Sequence, residues 1–505
     1  MIINKKIEEI TKIGKWIYID NKENFVVNIS QAWEWIHNFG FRKYMYNEKS
    51  YDYILIKNNI VEIVNDTTLK NIITECVKEY ATLIKFTENL DEDSKKISEK
   101  IISSYDKAIP RLFDKKRFEC YLTPIDKENF LKDTSTTSYF CFNNGIVEIS
   151  KKKFEIKKYD DIKKYIWKKR IINRDYDISK SNGEIGVFEQ FCKNICTNKN
   201  INIEVDETRF KALQCVIGYL LHSYRNDGNK AIILSEANIK EGQNGGTGKS
   251  LLLKAINQLR YVLAIDISKI KDDKYLFGEV QPGITDIIFL DECHKRFKLS
   301  EYFSVISGDL HINEKYGKKI TIKDKESPKL AMATNYAITS IDVSTKRRIY
   351  EFELFVYYNN KFTPDIEFGS YFWSEDWTEC DWIDFYIFML NCSRIYFEND
   401  KKLPEYFSDT KQIKKISNYS CPELLEFMQN KLEKCNYNLI IKTSELYNEF
   451  KTSYEEYNYI TNNQFSYWIR QYCEVYNLEY KKQNVYENTK TVRYYNIKRT
   501  VDFNL

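Results

Sequence analysis

Hydrophobic residues recur along this chain with two different periods. Between about 185 and 225, apolar residues stand three and four positions apart in "GVFEQFCKNICT" and "ETRFKALQCVIGYLLHSY", a spacing that predicts helices. From 228 to 360 the pattern changes to short apolar runs separated by polar or helix-like segments: "KAIILSEANI", "VLAID", "DIIFLD", "KLAMATN" and "RRIYEFEL". Buried strands that alternate with helices predict an α/β sheet covered on both faces.

The flanking segments predict further units. Upstream, aromatic helical patterns mix with strand-like runs, and "YFCFNNGIVEISKKKFEI" predicts two strands joined by an Asn-Gly turn. Aromatic helices return after 375, and from 421 the pattern predicts three helices and then a hairpin at 478–499. The predicted divisions are an N-terminal α+β region at 1–180, a helical adaptor at 181–227, a core at 228–360, a helical segment at 361–420 and a C-terminal unit at 421–505.

Composition restricts the class of protein. The 505 residues carry 77 basic and 73 acidic side chains, a net charge of +4 that neither demands nor excludes nucleic acid. Twelve cysteines and four histidines show no zinc-binding spacing, which favours reduced thiols in a cytosol. The chain starts without a signal peptide, and its longest apolar run, Ala212 to Leu221, is about half of a membrane span. The abundance of Lys, Asn, Ile and Tyr fits an AT-rich coding sequence, as many phages and mobile elements have. We therefore expect a cytoplasmic protein, in the host cytoplasm if phage-encoded, with no membrane partner.

One stretch, "EGQNGGTGKS" at 241–250, concentrates glycine between a predicted strand and an apolar helix. Glycines let successive backbone N–H groups point at one triphosphate, and the helix start adds a positive dipole end. Lys249 would reach the β- and γ-phosphates and Ser250 would ligate Mg²⁺. The usual pattern has a glycine where this chain has Gln243, and a glycine-rich turn that precedes Lys-Ser by chance is the alternative. The predicted nucleotide-binding residues are Gly242, Asn244, Gly245, Gly246, Thr247, Gly248, Lys249 and Ser250.

Three later groups add candidate chemistry to this loop. "DIIFLDEC" ends in Asp291, which could hold Mg²⁺ through water, and Glu292, which could polarise an attacking water. "KLAMATN" ends in Asn335, whose amide can bond that water or the γ-phosphate. Arg347 and Arg348 are predicted at the start of the next strand, where a guanidinium could stabilise phosphate charge in a neighbouring subunit. The alternatives are a chance acid pair, a turn-forming asparagine and a solvated basic pair.

The order GGTGKS, DIIFLDE, KLAMATN and TKRRI resembles the superfamily 3 helicases, and most of all their phage, plasmid and poxvirus helicase-primase group. The resemblance covers roughly 139–355 well and the C-terminal unit more loosely, whereas the first 130 residues match no family. It implies a P-loop AAA+-like ATPase core within an α/β fold, using ATP and Mg²⁺. It also implies a ring, usually a hexamer, that pulls DNA through its centre. Asn335 would then be the sensor, and either Arg347 or Arg348 the finger that acts on the neighbouring subunit.

The family also has a DNA-gripping hairpin between the acid pair and the sensor, where this chain has "GDLHINEKYGKKITIK". Basic side chains there suit phosphates, and His311 or Tyr316 would be available to stack on bases. A charged surface hairpin is the alternative reading. The candidate DNA-binding residues are His311, Lys315, Tyr316, Lys318 and Lys319.

The C-terminal unit fits a winged-helix-like DNA-binding domain, with "NNQFSYWIRQY" as the helix that would enter a groove and 478–499 as the wing. A helical protein-contact module would give the same pattern. The sequence therefore predicts an ATP-dependent replicative DNA helicase of a phage or mobile element, acting on single-stranded and forked DNA. The alternatives are an origin-binding initiator that remodels DNA locally and a non-helicase P-loop ATPase. Residues 1–180 show no metal-binding carboxylate pair on a strand, so primase activity there lacks residues to carry it. Whether primase activity is present in the chain or a primase or another replication protein is recruited as a partner stays open.

Overall fold

A computed structural model of the chain shows a mixed α/β architecture with one central parallel sheet. The structure describes residues 10–48, 50–87, 92–198, 204–226, 228–237, 246–267, 275–293, 297, 299–313, 319–334, 343–406, 408, 420–476, 478–487 and 490–499. Within these ranges, no helix combines the length and the apolar character that a membrane crossing requires.

The N-terminal region combines helices with three sheets. Its elements are β1 (Ile17–Ile19), β2 (Phe25–Val27), α1 (Ile29–Phe39), β3 (Phe41–Met45), β4 (Tyr51–Lys57), β5 (Ile60–Val64), α2 (Asp66–Thr87), α3 (Glu92–Leu112), α4 (Lys115–Tyr121), β6 (Pro124–Ile125), β7 (Thr137–Phe142), β8 (Gly145–Ser150), β9 (Phe154–Lys157), β10 (Ile166–Trp167) and β11 (Ile171–Ile172). The strand orders are β1-β2, β10-β5-β4-β3-β6 and β11-β7-β8-β9. The predicted mixture of helices and strands is thus confirmed.

The hairpin predicted near Asn143 is confirmed, but its turn lies one residue earlier than expected. Phe142 pairs with Gly145, so the two turn residues are Asn143 and Asn144, and the glycine begins β8. A Cβ at Gly145 would lie 2.9 Å from the backbone oxygen of Lys157 in β9. Close packing of a third strand, rather than turn geometry, is therefore what requires the glycine.

The middle of the chain builds the central sheet. Its elements are α5 (Val187–Asn194), α6 (Glu207–Leu221), β12 (Ala231–Glu236), α7 (Lys249–Asn257), β13 (Val262–Asp266), β14 (Ile287–Cys293), α8 (Phe303–Ser307), β15 (Leu310–Asn313), β16 (Lys319–Ile322), β17 (Lys329–Thr334), α9 (Val343–Arg348), β18 (Ile349–Leu354), α10 (Pro364–Phe368) and α11 (Glu379–Glu398). The five predicted apolar runs all form strands, and every neighbouring pair in the order β13-β14-β17-β12-β18 is parallel. All five carboxyl ends therefore lie at one edge of the sheet.

Alternate side chains along the strands enter two hydrophobic cores. On one face, Ile232 and Leu234 of β12 pack with residues of α6, α7 and α11. On the other face, Ala231 and Ile233 pack with α8 and with the buried side of the β15–β16 hairpin. The prediction of a sheet covered on both faces is confirmed, although much of the second face is covered by the β15–β16 hairpin instead of by helices.

Buried ion pairs attach the N-terminal region to the amino edge of this sheet. Asp133 and Arg260 lie 2.8 Å apart with side chains 1% and 4% exposed. Burial acts to raise the pKa of Asp133, but Arg260, His222 and two backbone N–H donors outweigh it and lower that pKa. Arg260 directly precedes the turn into β13, so the contact lies away from the carboxyl edge. The N-terminal region therefore supports the sheet from the end opposite the candidate nucleotide site.

The C-terminal unit has its own core and a three-stranded antiparallel sheet. Its elements are α12 (Pro422–Lys434), β19 (Asn438–Lys442), α13 (Thr443–Ser453), α14 (Asn462–Val475), β20 (Leu478–Glu487) and β21 (Lys490–Arg499). The three predicted helices and the predicted hairpin at 478–499 are confirmed, and β19 is an additional strand that pairs with β21. The order is helix, strand, two helices and hairpin.

Candidate functional site

The carboxyl edge of the parallel sheet carries two of the groups that the sequence singled out for phosphate chemistry, the end of the glycine-rich loop and the acid pair. Strand β12 ends at Glu236, and helix α7 begins at Lys249, after the glycine-rich loop. Of the predicted loop residues, Gly242, Asn244 and Gly245 lie outside the described residues. Gly246, Thr247, Gly248, Lys249 and Ser250 are described, and Ser250 is exposed in the first turn of α7.

Two glycines shape the described part of the loop. Gly246 and Gly248 have φ angles of +94° and +103°, and residues with a Cβ adopt such angles only at a cost in conformational free energy. Gly248 is the N-cap of α7, and a Cβ there would lie 2.6 Å from Cζ of Phe191. The backbone of the loop is thus pressed against α5, and glycine at 248 is required by both conformation and space.

Gly248→Ala is expected to lower the free energy of unfolding by about 2–5 kcal/mol, because a left-handed conformation costs about 1–2 kcal/mol and overpacking against Phe191 costs about 1–3 more. Gly183→Ala is the matched control, since Gly183 has φ +78° but nothing within 4 Å of an added Cβ. Urea denaturation of both variants separates the two costs. Equal losses in the two variants would contradict the packing argument.

Lys249 lies in a buried polar cluster at the base of the loop. Its ammonium forms an ion pair with the carboxylate of Glu236, and the two side chains are 11% and 5% exposed. The Thr247 hydroxyl donates to the same carboxylate at 2.8 Å and lies 3.5 Å from the lysine Nζ. Sequence reasoning missed Glu236, although a charged residue that closes an apolar run directly before the loop was a signal for it.

The acid pair Asp291–Glu292 lies at an irregularity in β14. Leu290 pairs with Met332 and Cys293 with Thr334, so two residues of β14 oppose one residue of β17. Such a bulge turns side chains away from the regular alternation and is common next to active sites. The half-buried Asp291 therefore stands at the carboxyl edge in a locally distorted strand, two strands from the end of β12.

A third carboxylate lies beside this pair. Asp266, the last residue of β13, is the ladder partner of Asp291, so their backbones are about 4.8 Å apart. The signal for Asp266 was again an acidic residue at the end of an apolar run, "VLAID". Mg²⁺ prefers oxygen ligands and commonly binds one or two carboxylates together with substrate phosphates, and these residues fit that pattern. Among the described residues, no group of three or more His, Cys, Asp and Glu side chains forms a metal site by itself.

The predicted sensor Asn335 lies outside the described residues. The strand that leads to it, β17, ends at Thr334, whose hydroxyl donates to the backbone oxygen of Cys293 at 3.1 Å. This bond ties the end of β17 to the strand that carries the acid pair.

The arginine pair lies at the other edge of the sheet. Arg347 and Arg348 end α9 instead of beginning a strand, because pairing of β18 with β12 starts only at Ile349, opposite Ala231. Five residue steps along β12 separate this edge from Glu236, a distance of roughly 17 Å. Arg347 is exposed, whereas Arg348 donates from Nε to Ser307 at 3.0 Å and lies 4.7 Å from the Phe303 ring.

The predicted hairpin between the acid pair and β17 is confirmed in its two strands. β15 and β16 pair from Leu310–Ile322 to Asn313–Lys319, with the apolar residues buried and His311 and Lys319 exposed. His311 Nδ1 lies 3.1 Å from the Thr321 hydroxyl across the strands. The candidates Lys315, Tyr316 and Lys318 belong to the tip at 314–318, which is outside the described residues.

Comparison with known proteins adds a weak structural likeness. No protein-family model matches the sequence, and no curated protein matches it. An A form apo structure of the NrS-1 C terminal region is 12% identical at a TM-score of 0.42, with 92% of this chain and 97% of that chain covered. A second structure of that region is 13% identical at a TM-score of 0.39, with 92% and 98% covered. Because both TM-scores are low, neither likeness decides the fold or the function of this chain.

Proposed function

We propose that this chain is an ATP-dependent replicative DNA helicase of a phage or mobile element, built on a P-loop AAA+-like core. The observation that carries the proposal is the meeting of Lys249 and the Asp291–Glu292 bulge at the carboxyl edge of one parallel sheet. Lys249 would hold the phosphates of ATP, Ser250 would ligate Mg²⁺, and Asp291 would hold that Mg²⁺ through water. Glu292 would accept a proton from the attacking water.

The position of the arginines supports a ring. The arginines stand at the amino edge, roughly 17 Å along β12 from Glu236, so we infer that they act on phosphates held by an adjacent subunit and not on those of their own loop. Arg347 suits that role better than Arg348, whose guanidinium is already engaged with Ser307 and Phe303. This arrangement supports a homo-oligomer, which is usually a hexamer in the family that the chain resembles.

The hairpin supplies the DNA contact in this proposal. Its strands pack on the sheet through buried isoleucines, so a movement of the sheet during hydrolysis would be passed to β15 and β16. Basic side chains at the tip suit the phosphates of a single strand.

A second candidate function, an origin-binding initiator, is favoured by the C-terminal unit. The exposed face of α14 carries Asn463, Tyr467 and Arg470, and asparagine and arginine are side chains that read base edges. The order of elements there also agrees with a winged-helix-like domain. Sequence-specific duplex binding by the full chain without strand displacement would favour this function over the helicase.

The triple substitution Lys315→Ala, Lys318→Ala and Lys319→Ala tests the helicase proposal. We expect wild-type hydrolysis to be stimulated by single-stranded DNA and a forked duplex to be opened. The variant should keep basal hydrolysis within about twofold but lose stimulation and strand displacement. Its DNA affinity should also depend less on salt, with a log–log slope shallower by about 0.7 for each phosphate that it no longer binds.

The matched control is Lys325→Ala, which removes an exposed lysine just beyond the hairpin. It should behave like the wild type in all three assays. Unchanged DNA stimulation in the triple variant would remove the hairpin from the mechanism. A wild type that hydrolyses ATP without any response to DNA would support the non-helicase ATPase instead.

A further inference from the structure

Glu236 occupies an unusual position for a carboxylate, at the buried end of the strand that leads into the phosphate loop. Its side chain is 5% exposed and forms an ion pair with Lys249, the residue assigned to the nucleotide phosphates. The same carboxylate oxygen accepts the Thr247 hydroxyl at 2.8 Å, and Thr247 belongs to the loop itself. The base of the loop is therefore fastened to the end of β12 by two contacts through one carboxylate.

This arrangement sets two anions in competition for one ammonium group. A lysine that donates to phosphate oxygens must leave a carboxylate that it already pairs with, or share its charge between the two. The remaining carboxylate, held in surroundings of low polarity, repels the phosphates that have taken its partner. Both effects oppose nucleotide binding and favour nucleotide release.

We propose that Glu236 regulates the nucleotide site. It forms an ion pair with Lys249 while the site is empty and forms that pair again when the diphosphate leaves. The inference rests on the proposed nucleotide site and deepens it. Glu236 is a positioning residue that acts through Lys249 and shortens the time that ADP stays bound. It also gives the lysine charge a partner between cycles, when no phosphate is present.

Glu236→Gln in the full chain tests this inference. Glutamine keeps the size and the acceptor oxygen but removes the charge that competes for Lys249. If the ion pair holds about nine-tenths of the empty molecules, the variant should bind Mg-ADP and a non-hydrolysable ATP analogue about tenfold more tightly. Stopped-flow release of a fluorescent ADP analogue should slow by about the same factor.

Two further variants make the result specific. Glu351→Gln removes a carboxylate from the neighbouring strand β18, where it accepts a hydrogen bond from Ser235 at 3.1 Å, and should leave affinity unchanged. Glu236→Asp keeps the charge but withdraws it by one methylene, so it should give a smaller gain and serves if the glutamine variant does not fold.

The outcomes distinguish failure of the role proposed for Glu236 from failure of the proposed nucleotide site. Tighter binding and slower ADP release in Glu236→Gln, with Glu351→Gln unchanged, would support the regulatory role. Equal or weaker binding in Glu236→Gln beside normal binding by the wild type would overturn that role and leave the nucleotide site standing. A folded wild type that binds neither nucleotide would overturn the site and the inference with it.

Discussion

Lys249→Ala is expected to abolish ATP hydrolysis and nucleotide binding. In the proposed site, Lys249 would supply the positive charge at the start of α7 for the phosphates, and alanine would leave only the backbone N–H groups and the helix dipole. Strand displacement and DNA-stimulated hydrolysis should disappear together, because both depend on the same nucleotide site.

The same substitution should also destabilise the empty protein. It removes a counter-charge from the buried Glu236 carboxylate, and breaking a buried pair in this way costs about 3–5 kcal/mol. Loss of activity in the single variant could then reflect unfolding. The double substitution Lys249→Ala and Glu236→Gln also removes the buried negative charge of residue 236, so stability should recover while hydrolysis stays absent.

Hydrolysis with and without single-stranded DNA, opening of a forked duplex and urea denaturation should be measured on all three proteins. Lys254→Ala, an exposed lysine on the same helix, is the control and should match the wild type. Hydrolysis that survives in the stable double variant would refute the phosphate-loop assignment. Hydrolysis that depends on Lys249 but ignores DNA, with no strand displaced, would leave the nucleotide site and remove the helicase.

The central sheet was predictable because its signal is local. Each of the five apolar runs is long enough to form a buried strand, and the segments between them are polar or carry apolar residues at helical spacing. The helix after the glycine-rich loop was predictable for the same reason, since "KSLLLKAIN" has apolar residues at helical spacing. The short strand β19 was missed because five residues between two helices give too little pattern to detect.

The details of the site depend on contacts between residues that are distant in sequence. The bulge at Asp291 arises from the register between β14 and β17, and the sequence of neither strand alone specifies that register. The pairing of Asp266 with Asp291 requires the strand order, and the ion pair of Glu236 with Lys249 requires the loop to fold back on β12. An acidic residue closing an apolar run was the available signal in both cases, but turns and strand ends are often acidic for other reasons.

The sequence likewise did not predict the edge of the sheet at which the arginines lie. "TKRRIYEF" placed Arg347 and Arg348 beside a strand, but only the parallel pairing of β18 with β12 shows that they stand at the amino edge. Because that edge is opposite their own phosphate loop, the test must ask whether one of the arginines acts on the nucleotide site of a neighbouring subunit.

Arg347→Ala is therefore expected to lower hydrolysis about 1000-fold or more while nucleotide affinity stays within a few-fold, as for other arginines that act on a partner's transferred phosphate. Arg348→Ala is the adjacent comparison. Its guanidinium contacts Ser307 and Phe303, so its loss should cost stability near α8 and leave most of the hydrolysis intact. Steady-state hydrolysis and equilibrium nucleotide binding measured on both variants distinguish these effects.

Mixing two inactive proteins tests whether Arg347 acts between subunits. A Lys249→Ala subunit keeps Arg347, and an Arg347→Ala subunit keeps its own Lys249, so a mixed assembly contains some complete sites at their junctions. We expect hydrolysis to reappear on mixing and to scale with the fraction of mixed junctions. Arg347 stands at the amino edge, roughly 17 Å along β12 from Glu236, so the recovered activity is expected to come from junctions between subunits. An assembly that stays inactive on mixing, with both variants folded and assembled, would refute the action of Arg347 across the subunit interface.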